Sequence, residues 1–381
     1  MRILRPHGSP GSARGDASQY HVGMNPPKQP GPVDLPVLLS VGLGTFMSAL
    51  DASVVNTVLP VIRTAYHAPV ESIQWVVTTY LLVMGGLLLT FGRLGDLRGH
   101  RRVYLAGFGF FLPASILCGV SPTVGMLIAA RVLQGVGAAI LVSNSPAILI
   151  GSVHPSRIGQ ALGLQAAMTS LGLSLGPTLG GWLTDQLGWR AIFFINVPFG
   201  LAAMYLGFRH VARDSHASPR EERFDISGAS LFLGAFLALQ FALNRGNAWG
   251  WSSPPTIGLF AGSVILGFLF LRQERGAGSP MLDLDLFRNR LFSFAAGSAM
   301  LNYVCMGGIL FLVPFYLIQG RGLSAARAGY FMTIQFLAMV VTAPISGRLS
   351  DRIGSRAPAT AGMAISAVGL FLLSAMGGDS P

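Results

Sequence analysis

One carboxylate lies well inside an apolar run. It is Asp51, in Leu50-Asp51-Ala52-Ser53-Val54-Val55-Asn56-Thr57-Val58-Leu59-Pro60. An acid placed in hydrocarbon costs at least about 2–3 kcal/mol, so it marks a functional site by default and suits a proton carrier. The alternative is a structural acid satisfied by neighbouring hydroxyls or by an arginine. Arg131 is its natural counterpart, in Arg131-Val132-Leu133-Gln134-Gly135-Val136-Gly137. At 1.5 Å rise per residue, Arg131 sits roughly 12 Å and Asp51 roughly 15 Å from the outer ends of their runs. The two charges therefore share a depth. Gln134 is one helical turn from Arg131, on the same face. The alternative for Arg131 is a side chain that snorkels outward and orders water there.

A second constellation is a repeated charged hairpin. Gly92-Arg93-Leu94-Gly95-Asp96-Leu97-Arg98-Gly99-His100-Arg101-Arg102 recurs as Gly347-Arg348-Leu349-Ser350-Asp351-Arg352-Ile353-Gly354-Ser355-Arg356, 255 residues later. Gly99 permits a tight turn, Asp96 can accept hydrogen bonds from a helix start, and Arg101 and Arg102 hold the loop on one side of a membrane. Such a clasp can latch one conformation of a rocking transporter; the alternative is a pure topology signal. A third pattern is Gly163, Gly172, Gly176, Pro177, Gly180 and Gly181. Gly172, Gly176 and Gly180 are four apart and form a smooth face for close helix approach, and Pro177 favours a bend.

The elements that carry these residues must be membrane-spanning helices. The chain of 381 residues is 51% hydrophobic and only 11% charged, against about a quarter charged in soluble domains. Its apolar runs of roughly twenty residues are long enough to cross a bilayer. Eleven spans are predicted, at 36–61, 73–92, 103–120, 123–150, 159–184, 191–208, 226–243, 255–271, 291–318, 328–347 and 358–376. The expected fold is an all-α integral membrane protein. Of the 26 basic residues, 25 are Arg; twenty of the 26 fall in one alternate set of loops and five in the other. Positive loops stay inside, which predicts a cytoplasmic N-terminus and a multi-pass protein of the cell membrane.

The repeat sets the expected organisation. Residues 1–34, rich in Gly, Pro, Ser and Arg, are expected to be a disordered cytoplasmic tail; Met24 is an alternative start. Residues 35–210 form a first six-helix half. Residues 211–290 hold two extra spans and cytoplasmic linkers. Residues 291–381 mirror spans one to three, so the chain is expected to carry only the first three helices of its second half.

Other function classes find little support. The net charge of +11 follows topology and implies no nucleic-acid partner. Cys118 and Cys305 both lie in apolar runs and read as packing residues rather than as a disulfide or metal framework. No phosphate-binding loop, nucleophile triad or zinc spacing stands out, so no enzyme activity, metal or cofactor is expected. Gly188-Trp189-Arg190, before span six, reads as an interface anchor.

Jointly, these motifs resemble the major facilitator superfamily, specifically its fourteen-span drug:proton antiporters. The hairpin at 92–102, the Arg131–Gly137 segment and the 163–181 pattern match three family motifs, the last associated with exporters. Asp51–Pro60, Trp189–Gly200 and the two extra spans resemble the fourteen-span branch. The resemblance covers residues 35–376. It implies a major-facilitator-type helix bundle in which Asp51 and Arg131 serve proton coupling and Asn56 and Gln134 line or support the central cavity. It also implies a cytoplasmic gate of Gly92, Asp96, Gly99, Arg101 and Arg102, and an exporter-type bend at Gly176 and Pro177. Leu97 and His100 depart from the motif, each standing where a basic residue is usual, which implies a weaker or pH-sensitive latch.

The leading functional expectation is proton-coupled efflux of small amphiphilic compounds or drugs by alternating access. Its partners are a small-molecule substrate, protons and the lipid bilayer. The alternative is a truncated, transport-incompetent fragment of such an exporter.

Overall fold

Pro36 at the start of the first long helix, the Thr123 hydroxyl that accepts from Met126 N, and the Asn289 side chain that accepts from Leu291 N illustrate how the chain opens its helices. Each device satisfies or dispenses with a backbone donor that has no partner inside its own helix. The computed structural model describes residues 34–213, 224–277, 280–322 and 325–375. All but one residue of the expected N-terminal tail lie outside these.

Eleven long helices form among the described residues. They are α1 Leu35–Tyr66, α2 Val70–Arg98, α3 His100–Val120, α4 Val124–Ser152, α5 Ile158–Leu187, α6 Ala191–His210, α7 Ile226–Trp249, α8 Pro254–Gly276, α9 Arg290–Phe315, α10 Ala325–Ile353 and α11 Arg356–Ala375. Each predicted span falls on one of them. α6 breaks for one residue at Ile195, shortly before Pro198, which has no N–H to donate. Among the described residues, nine of the eleven carry a stretch long and apolar enough to cross a membrane, and α5, described throughout, does not. α5 packs along both α1 and α10, which shields it from lipid and lets it tolerate a more polar composition.

The first six helices enclose two apolar clusters. One gathers Val41, Met47, Tyr80, Tyr104, Phe108, Phe111, Leu141 and Leu149. The other gathers Val54, Val58, Val76, Leu127, Ala130, Trp189 and Phe193. Along α1 the first cluster ends at Met47 and the second begins at Val54. Asp51 falls in the seam.

α5 lies between α1 and α10 and meets each with glycines. A Cβ on Gly172 would come 2.5 Å from Phe46 O, and one on Gly180 would come 2.6 Å from Val54 Cγ2, both on α1. A Cβ on Gly163 would come 2.5 Å from Ala343 O of α10. The Ser53 hydroxyl donates to Leu173 O at 2.9 Å. Leu173 is four residues before Pro177, so this is the carbonyl that the proline leaves without its helical donor. A serine on α1 thereby repairs a defect in α5.

α7 and α8 pack on each other, and α7 docks on α2. Phe236 and Leu233 enter a notch at Gly85 and Gly86, where added Cβ atoms would stand 2.7 Å from each ring or methyl. Arg245 lies 5.2 Å from the Trp75 ring centroid. α9 and α11 meet through Asn302 and Met363, and no residue in the apolar stretch of either is buried.

Candidate functional site

The seam between the two apolar clusters holds a closed polar network. Asp51, Arg131, Gln134, Ser115 and Asn196 are all fully buried. Arg131 Nη1 donates to Asp51 Oδ2 at 2.5 Å and to Gln134 Oε1 at 2.7 Å. Its Nε donates to Val76 O at 2.9 Å. The second carboxylate oxygen, Oδ1, accepts from Gln134 Nε2 at 2.9 Å and from Asn196 Nδ2 at 3.0 Å. Ser115 Oγ accepts from the same two amides at 3.1 and 3.0 Å and donates to Phe193 O at 2.9 Å. Residues from α1, α3, α4 and α6 thus converge on one carboxylate.

The guanidinium also lies 4.1 Å from the Tyr80 ring centroid, and Tyr80 OH donates to Ser48 O at 3.2 Å. Arg131 Nη2 and Asn196 Oδ1 are buried with no hydrogen-bond partner among the described residues. The aromatic face beneath Arg131 compensates part of that deficit. An ion pair out of water needs good geometry and saturated lone pairs to offset its desolvation. Here the three donors to Asp51 supply that saturation. Each of these three donors points at a carboxylate oxygen.

Of the residues singled out in the sequence, the structure brings Asp51, Arg131 and Gln134 together. Asn56 stands apart; it is exposed, and its amide donates to Ala52 O, one turn back on its own helix. Asn196 and Ser115 were not singled out. The signal was present for Asn196, a carboxamide inside the apolar run Phe193-Phe194-Ile195-Asn196-Val197. A serine in a span carries no comparable mark, since it can bond to its own helix.

The hairpins lie at the other end of α2 and α10. Asp96 Oδ1 stands 3.2 Å from His100 Nε2, and His100 Nδ1 lies 2.8 Å from Asn144 Oδ1. Gly95 leaves room for that chain of contacts, since a Cβ there would collide with Asn144 Oδ1 and His100 Nδ1. Gly99 has φ 95°, which makes glycine the fitting residue at this turn. Arg101 Nη2 donates to Phe208 O at 2.7 Å, in the last turn of α6, where the helix dipole favours a cation. In the second copy, Asp351 accepts from Gly159 N at 2.7 Å and Gln160 N at 2.8 Å. Arg348 Nε and Nη2 lie 3.3 Å from the Gln160 side-chain amide. The glycine face expected at 172, 176 and 180 lies on α1; Gly163 faces α10 instead.

Residues 41–380 match the family described as Major Facilitator Superfamily. The chain is 36% identical over 338 residues to the multidrug resistance protein Stp of Mycobacterium tuberculosis, covering 88% of this chain and 62% of that protein. It is 36% identical over 349 residues to the riboflavin transporter RibZ of Clostridioides difficile, covering 91% of this chain and 74% of that one. The chain therefore spans less than two thirds of the length of Stp. Among solved structures, the proton:xylose symporter XylE has a similar fold, with TM-score 0.51 at 13% identity over 84% of this chain and 69% of that one.

Proposed function

The chain belongs to the Major Facilitator Superfamily, in its drug-efflux family, and from that premise we propose that it serves proton-coupled efflux of small amphiphilic compounds by alternating access. The reading takes a small-molecule substrate and protons as partners and needs no cofactor. It places the N-terminus in the cytoplasm, on the distribution of arginines. It divides the chain into a six-helix half over 35–210, an inserted pair over 211–290 and helices of a second half over 291–381.

The observation that carries the reading is the ion pair of Asp51 and Arg131, buried with Gln134 and Asn196. Protonating Asp51 would leave Arg131 as a buried charge without its counterion. Breaking a buried pair in this way costs about 3–5 kcal/mol. Inverting a two-state population from 1:99 to 99:1 takes about 5.5 kcal/mol. One proton therefore supplies most of the energy of a conformational switch, and differential substrate binding supplies the rest. Proton entry from outside would neutralise Asp51, loosen the seam and favour release of substrate on that side. Asp96 and Asp351 would hold the cytoplasmic ends in one of the two states.

A second reading is a transporter dedicated to one metabolite. The similarity to RibZ favours it, since that relative is named for riboflavin. One assay serves both readings. In inside-out vesicles with an imposed proton gradient, a panel of amphiphilic drugs and riboflavin is offered to the wild type and to Asp51→Asn. Uphill transport of several drugs that Asp51→Asn abolishes is the expected result. Transport of riboflavin alone selects the second reading. Undiminished uphill transport by Asp51→Asn sinks the coupling assignment. Arg131→Lys is expected not to rescue coupling, because Lys lacks the planar fork that here reaches Asp51, Gln134 and Val76 together.

A further inference from the structure

The α2–α3 hairpin carries a groove that neither the ion pair nor the clasp uses. It has a volume of about 600 Å³ and is lined by Phe91, Leu94 and Arg98 of α2 and by Arg102, Ala106 and Phe110 of α3, among others. Its two ends differ in chemistry. Arg98 and Arg102 are exposed at the hairpin end. The wall below them is apolar. Phe110 lies two turns and more beyond Arg102 on the same face of α3, about 12 Å deeper at 1.5 Å per residue. The groove thus runs from two guanidinium groups down into the membrane.

Three observations separate these arginines from the others of the hairpin. First, neither has a hydrogen bond, ion pair or ring contact among the described residues, whereas Arg101 is taken by the Phe208 carbonyl and ring. Second, the nearest carboxylate on the hairpin, Asp96, is engaged by His100. Third, the repeated copy lacks them. At the 255-residue offset, Arg98 corresponds to Ile353 and Arg102 to Ala357. Keeping a loop on one side of the membrane does not fix charges at these two positions, since the second hairpin carries Arg352 one position earlier and Ala357 in place of the other. The first turn of α3, with its backbone N–H groups, also opens beside the groove, and its N-cap, Gly99, has no side chain to cap it. Its dipole adds to the positive end.

Paired cations over an apolar slot at interface depth recognise one chemistry: an anionic headgroup attached to an acyl chain. We propose that this groove binds an anionic diacyl phospholipid of the phosphatidylglycerol class from the leaflet that faces the hairpin. The phosphate sits between Arg98 and Arg102, where guanidinium forks match phosphate oxygens. One acyl chain lies along Phe91, Leu94, Ala106 and Phe110. Under the orientation proposed above, the leaflet is the cytoplasmic one; binding itself does not depend on that orientation or on proton coupling. A lipid seated there ties α2 to α3 beside the Asp96–His100–Asn144 contacts.

The test is native mass spectrometry of the purified full chain, titrated with phosphatidylglycerol or with phosphatidylcholine of the same acyl chains. One phosphatidylglycerol is expected to be retained in preference to phosphatidylcholine. R98Q/R102Q should weaken its retention roughly 30-fold, about 2 kcal/mol at 1.4 kcal/mol per tenfold. A106W, which leaves both charges in place and fills the slot, should weaken it too. The control R209Q/R213Q, which removes two arginines elsewhere, should leave retention unchanged. If R98Q/R102Q does not fold, R98Q and R102Q alone are each expected to lose about fivefold. Four results would overturn the proposal. They are full retention in the arginine variants, equal loss in R209Q/R213Q, equal retention of phosphatidylcholine, and displacement by inorganic phosphate at the lipid's own concentration. The last would make the groove a site for the free anion.

Discussion

The two copies of the hairpin share a spelling and differ in what they hold. Asp351 reaches across to another helix and takes the first free N–H groups of α5, at Gly159 and Gln160. Asp96, at the equivalent position, stays on its own hairpin and pairs with His100. The glycines that open the two copies differ in the same way. A Cβ on Gly347 would collide with Gly159 O, while a Cβ on Gly92 would meet only Ser143 Cβ at 3.9 Å. One copy is an interhelical clasp built on backbone contact. The other closes its aspartate on its own hairpin and reaches α4 and α6 through side chains, His100 to Asn144 and Arg101 to Phe208 O. A repeated sequence therefore specifies a repeated local shape, and the neighbour that each copy meets decides what the shape is used for.

The largest expected effect that can break this comparison comes from the glycines. Gly347→Val should force α5 and α10 apart and destabilise the protein by about 1–3 kcal/mol, the usual range for overpacking. Gly92→Val should cost well under 1 kcal/mol, since the space is open and valine is the better helix former. Thermal unfolding of the two purified variants in detergent checks the difference. Equal losses would mean that the two copies are packed alike after all.

Next in size is the exchange of each aspartate for its amide. Asp351→Asn removes a charge from the start of α5, a contribution of about 1 kcal/mol. Hydrogen exchange at the Gly159 and Gln160 amides should then speed up about fivefold. Asp96→Asn should leave those two amides at wild-type protection. Faster exchange in both variants would show that the hairpins act on α5 together.

A smaller effect separates the copies through His100. The contact of Asp96 with His100 becomes an ion pair only when the imidazole is protonated. His100→Ala should lower exchange protection over residues 92–102 about twofold and leave the Gly159 and Gln160 amides at wild-type protection.

The smallest effect belongs to a third aspartate, which serves its own helix start. Asp225 caps α7 through Gly228 N at 2.9 Å and also accepts from Ser227 Oγ at 2.6 Å. Partial burial works against its charge, but the bonds from Gly228, Ser227 and Gln273 outweigh it and hold the carboxyl below its ordinary range. The stability it contributes is present above the unfolded-state value and is lost as the pH falls through the lowered folded-state value. Asp225→Ala should cost about 1 kcal/mol or less, typical of a lost cap. Parallel unfolding curves at neutral and acidic pH, converging in acid, are the expected readout.

Much of the architecture was legible in the residue order alone. Span positions follow from apolar run length, because a bilayer demands continuous apolar helices of fixed length. The pairing of Asp51 with Arg131 and Gln134 was legible too, since few charges can reside at that depth and those that do seek each other. The sequence could not say that Asn196 and Ser115 complete the carboxylate's shell, because their usefulness depends on how α3 and α6 rotate against α1. Nor could it say that Ser53 repairs the Pro177 carbonyl, that Asn56 faces away from the network, or that Asp351 rather than Asp96 takes a helix start. Run length and charge are properties of one segment and survive in the sequence. Which face meets which neighbour is a property of packed pairs, and it exists only once the helices are in contact.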